Sequence, residues 1–131
     1  MKKILYLIIF ITMGVILVII LFKPSQKEID MVANLYCVEF QARNDSGLGK
    51  PLDILHPRIM TMEEAGSPAG QKFQQIITSR ILPLMQAYGW DNQNLNSEVK
   101  EIEDLMRKES FRNKVFESLH QKSECHPEYL D

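Results

Sequence analysis

The chain has 131 residues, with 15 basic and 17 acidic side chains and a formal net charge of −2. That length holds one domain, and 45% hydrophobic content with only 6 Gly and 6 Pro excludes a disordered or low-complexity chain. Residues 24–131 carry 12 basic against 17 acidic side chains, a net charge of −5, which excludes the basic footprint of a nucleic-acid binder.

Met1-Lys2-Lys3 precedes 19 uncharged residues, Ile4–Phe22, interrupted only by Tyr6, Thr12 and Gly14. At 1.5 Å per residue a helix over them is about 28 Å long, close to the ~30 Å hydrocarbon core of a bilayer. The run ends Ile20-Leu21-Phe22-Lys23-Pro24, with no small-residue cleavage pattern and no nearby Cys to accept a lipid. We expect an uncleaved transmembrane anchor over residues 1–23, held in the membrane through residues 4–22. A folded domain over 24–131 comes after it. Lys2 and Lys3 on one side nearly balance Lys23 and Lys27 on the other, so the short N-terminal flank sets the orientation. The expected place is the inner (cell) membrane, single-pass, with the C-terminal domain in the periplasm. An even pair of cysteines in a small exported domain reads as a disulfide, Cys37–Cys125. It would close a loop of roughly 89 residues, worth about 4–5 kcal/mol in the chain-entropy account.

Beyond the anchor, Ser25-Gln26-Lys27-Glu28 is a capping box that starts a helix. One apolar face is Ile29, Val32, Ala33, Tyr36 and Phe40, with Cys37 at its edge, and a second stripe is Met31, Leu35 and Val38. A helix apolar on two sides sits centrally in a bundle or leaves one stripe for a partner. Asn44-Asp45-Ser46-Gly47 ends it. Residues 45–66, broken by Pro51, Pro57 and three glycines, read as a loop with one helical turn. Ser67-Pro68 then supplies an N-cap and a first-turn proline for a helix with the stripe Phe73, Ile77, Ile81, Leu84 and Tyr88. Pro83 should kink or split that helix, and Gly89 should stop it. A third helix from Asn96 or Ser97 to about Glu109 should bury Val99, Ile102, Leu105 and Met106. A fourth from Ser110 should bury Phe111, Val115, Phe116 and Leu119. No run alternates with period two. The expected fold class is therefore all-α, a small disulfide-linked bundle of about four helices on an N-terminal transmembrane helix.

Catalytic signatures are missing. There is no nucleophile elbow, metalloprotease helix, phosphate loop or dinucleotide fingerprint. Gly66-Ser67-Pro68-Ala69-Gly70 resembles a nucleophile turn, but Ser before Pro at a helix start is a cap. His120, Cys125 and His126 have no standard zinc spacing, and a disulfide would consume Cys125. We expect no enzyme activity, no cofactor and no metal. The residues left for recognition are Trp90, after the Gly89 corner, and the outward carboxylates Glu101 and Asp104. The same acidic run offers Glu103 to Arg107 and Asp104 to Lys108 as intrahelical pairs; its other reading is a surface that steers a basic partner. The function expected from these features is a membrane-tethered, non-enzymatic binding protein of the immunity type, which neutralises an envelope-acting toxin. The alternative is an accessory subunit of an envelope secretion, pilus or conjugation machine. Either way the partner is a protein.

Overall fold

The computed structural model describes residues 2–22, 26–91, 93 and 95–131. Among them are helices α1 (Lys2–Phe22), α2 (Gln26–Ser46), α3 (Met62–Gly66), α4 (Pro68–Ala87), α5 (Leu95–Arg107) and α6 (Glu109–His120). Two short 3-10 turns, Ser123–Cys125 and Pro127–Leu130, come last, and no strand occurs among the described residues. The fold is all-α, and α2, α4, α5 and α6 are the expected domain helices. The capping Ser25 and the boundary at residues 23–24 lie outside the described residues.

In α1 the side chains of Lys2–Val15 are described, and all are exposed, Tyr6 and Phe10 among them. Among the described residues no helix is long and apolar enough to cross a membrane. The described side chains of α1 stop short of the 17 or so that a span needs.

α2 is the axle of the domain. It packs against α4 and α6 and against the first 3-10 turn, which is the central position that its two apolar stripes suggest. Val32, Ala33 and Phe40 are wholly buried, Leu35 joins them from the second stripe, and Met31 and Val38 are half-buried. The main core joins Ile29, Tyr36 and Phe40 of α2 to Phe111, Val115 and Leu119 of α6. Tyr36 meets Phe40 and Phe116 edge-on at 5.8 and 6.2 Å, the T-shaped geometry that aromatic quadrupoles favour. The Cys37–Cys125 disulfide joins the middle of α2 to the turn after α6 across 88 positions, with Cα atoms 4.6 Å apart.

α3 and α4 meet at a tight elbow. Thr61 and Glu64 form a capping box at the start of α3 that the sequence reading did not single out. Ser67 caps α4: its Oγ accepts from Gly70 N–H at 3.0 Å and donates to the Glu64 carbonyl at 2.6 Å. Gly70 has to be glycine here, because a Cβ would lie 1.9 Å from Glu64 O. Pro83 does not split α4, which runs on to Ala87. The carbonyl that Pro83 cannot bond is that of Ser79, an exposed residue where water can serve instead. Gly89, at φ +72°, stops the helix as expected. Its N–H donates to Gln86 O, and Trp90 N–H donates to Met85 O at 2.8 Å, the paired bonds of a Schellman motif. Lys108, extended between α5 and α6, separates them into the two helices expected.

Candidate functional site

A groove of about 340 Å³ opens between α2, the loop at 53–59, the end of α4 and α5. The loop is held by a buried cation. Gly47 and Gly49, both at positive φ, turn the chain back over the end of α2. Arg43, 1% exposed, then ties down the segment beyond the turn: its Nε donates to Gly49 O at 2.7 Å and its Nη1 to Pro57 O at 3.2 Å. Its Nη2 binds Glu64 Oε2 at 3.1 Å, and the guanidinium lies 5.8 Å from the Phe73 ring centre. Tyr36 Oη donates to Leu55 O at 3.0 Å and seats the loop across the middle of α2.

The groove is mostly apolar. α2 supplies Leu35, Tyr36 and Glu39, and the loop supplies Leu55, His56, Pro57, Arg58 and Ile59. α4 and its cap supply Ile81, Met85 and Trp90, and α5 supplies Val99, Ile102, Glu103 and Met106. Among the described side chains of α5 only Met106 is fully buried; Val99, Ile102 and Leu105, expected in the core, are half-buried. The reason is that α5 packs chiefly on α6: Leu105 and part of Ile102 meet the main core, while Val99 and the rest of Ile102 border the groove. Leu52 of the loop and Met62 at the start of α3 are exposed on either side of the groove-lining part.

One charged pair marks the groove. Glu39 is buried, and its Oε1 lies 3.0 Å from Nε of half-exposed Arg58. Burial raises the Glu39 carboxyl from 4.5 to about 7, and Arg58 only partly opposes this. No Ser, Thr or Cys lines the groove among the described residues, and the Tyr36 hydroxyl that does is engaged with Leu55 O. The arrangement suits recognition: apolar walls with a few placed polar groups.

Of the residues nominated from sequence, Trp90 lines the groove and follows Gly89 in the cap of α4, where its N–H donates to Met85 O. Its ring lies 5.8 Å from that of Tyr88. Glu101 and Asp104 are exposed and do not line the groove. Asp104 pairs with Arg107 at 3.5 Å, one turn away, and not with Lys108. Glu103, from the same run, does face the groove. Cys37 and Cys125 are joined to each other, so Cys125 offers no thiolate to His120 and His126. His126 Nδ1 instead meets Glu128 Oε1 at 3.0 Å, and His120 Nε2 lies 3.7 Å from Asp131 Oδ1. Among the described residues no three His, Cys, Asp or Glu side chains are placed to hold a metal.

No family model, no curated protein and no solved structure matches this chain.

The sequence reading missed Glu39, Arg58 and Glu103. Glu39 and Arg43 are the only charged residues between Asp30 and Asp45. Ionic residues one turn apart on a helix that is apolar on two sides were the available signal.

Proposed function

We propose that this chain is a membrane-tethered, non-enzymatic binding protein whose recognition surface is the groove and the apolar loop beside it. The observation that carries the reading is the groove itself: Trp90 and a half-buried α5 stripe around buried Glu39 and its partner Arg58, continuous with exposed Ile59. Exposed apolar surface joined to an aromatic-lined groove is a feature of protein-binding sites. The role best suited to a small domain with these features is an immunity-type inhibitor of an envelope-acting toxin. An accessory subunit of an envelope machine uses the same surface and is the second reading.

The tether is argued from α1. Its sequence is apolar on every side, and the described part is exposed all round, so the folded domain does not cover it. A bilayer would. The disulfide supports an extracytoplasmic domain, because such bonds persist in oxidising compartments.

The test is recovery of a partner from the membrane fraction by the full chain and by Ile59→Lys. Ile59 is 64% exposed, so the substitution leaves the core untouched. Retention by the parent and loss by the variant is the expected result. Equal retention would move the site elsewhere.

A further inference from the structure

The groove also says what the partner should present, an inference that rests on the groove being the partner-binding surface. Val99, Ile102, Glu103 and Met106 succeed each other at i, i+3, i+4 and i+7 along one side of α5. That spacing is one half of a helix–helix contact, two turns and about 10 Å long. Among the described residues the other half is incomplete: Val99 is half-buried, Ile102 packs on the main core by only part of its side chain, and α5 packs chiefly on α6. The two acidic side chains that line the groove differ: Glu39 is buried and paired, and Glu103 lies on the α5 side. Arg58 is engaged by Glu39 at 3.0 Å, and among the described residues Glu103 has no ion-pair partner. Glu101 and Asp104 extend the same sign onto the outer face of α5.

We propose that the groove docks one amphipathic helix of a protein partner, with apolar side chains against Val99, Ile102 and Trp90 and a Lys or Arg directed at Glu103. An occupant bringing a carboxylate would leave Glu103 covered and opposed by a like charge. A small apolar ligand would leave Ile59 and Met62 exposed beside it, whereas a helix long enough to span the groove can cover the loop as well.

The experiment uses the full chain in the membrane of the cells that make it, with a benzophenone amino acid replacing exposed Ile59. The crosslinked segment is sequenced by mass spectrometry. The expected segment is an amphipathic helix with a Lys or Arg on the border of its apolar face. Glu103→Lys should then cut the adduct yield by about tenfold, and changing that basic residue to Glu should restore it. Glu103→Gln keeps the shape of the side chain, so an intermediate loss with this variant separates charge from folding. A crosslinked segment that is acidic or not helical, or a yield insensitive to Glu103→Lys and Glu103→Gln, overturns the basic-helix inference and leaves the groove reading standing. Adducts to lipid alone, or no protein adduct, overturn both.

Discussion

Arg58 Nε lies 3.0 Å from Glu39 Oε1, pairing a half-exposed cation on the loop with a carboxyl buried in the middle of α2. The pair fastens the loop across the groove floor, and it leaves an ionisable group where water scarcely reaches.

That burial sets a pH dependence. The Glu39 carboxyl is raised from 4.5 to about 7, so between these values the folded chain holds a proton that the unfolded chain releases. The contribution of this group to stability is therefore full below pH 4.5 and is lost as pH rises through about 7. The loss amounts to about 3 kcal/mol. Glu39→Gln cannot ionise, so the parent should lose about that much stability relative to the variant between about pH 4.5 and 8. Urea unfolding of both proteins across this range measures the difference, and parallel curves would show that Glu39 titrates normally.

Arg43 should matter more to the fold than any other charged residue. Three acceptors on two segments depend on it: the carbonyls of Gly49 and Pro57 in the loop, and the carboxylate of Glu64 in α3. Thr61 N–H, and then Arg43, hold the Glu64 carboxyl below its usual range. Arg43→Met keeps the stem and removes every donor, leaving buried carbonyls unpaired. The expected cost is about 3 kcal/mol or more, with the 47–61 loop becoming the first site of cleavage in limited proteolysis.

Local signals in the sequence were enough for the helices and the covalent frame. Ser67-Pro68 and Gly89 mark the ends of α4 because capping is settled within a few residues. The two cysteines pair because no other partner exists. Pro83 misled, since a proline whose missing bond faces water need not end a helix. The groove was not legible, except through Trp90. Its walls come from α2, the loop after it, the end of α4 and α5, and their convergence depends on packing and not on any single stretch. Val99 and Ile102 look like core residues by spacing, and only the structure shows that nothing in the described chain covers them fully.

Two glycines provide a matched test of the α3–α4 elbow. A Cβ on Gly70 would sit 1.9 Å from Glu64 O, whereas a Cβ on Gly66 meets nothing within 4 Å. Gly70→Ala should cost about 1–3 kcal/mol, and Gly66→Ala should be neutral or slightly stabilising. Similar values for the two in thermal unfolding would mean that the elbow opens freely.

The disulfide ties the two ends of the domain together over 88 positions. Cys37→Ala and Cys125→Ala should each lower stability by about 2–5 kcal/mol, and the double variant should be no worse than either single one. Free thiols at both positions in the native protein, detected by alkylation and mass spectrometry, would contradict the bond.

The central claim is that the groove, and not the outer acidic face, holds the partner. Its most direct measurement is the pair of rate constants for a recovered partner binding to the parent, to Trp90→Ala, and to Glu101→Lys combined with Asp104→Lys. Trp90 lines the groove, while Glu101 and Asp104 are exposed outside it. Trp90→Ala should therefore speed dissociation about tenfold or more, as loss of a binding anchor does. The double lysine variant should mainly slow association, most clearly at low salt. Unchanged dissociation in Trp90→Ala would contradict the claim and place the partner elsewhere on the domain.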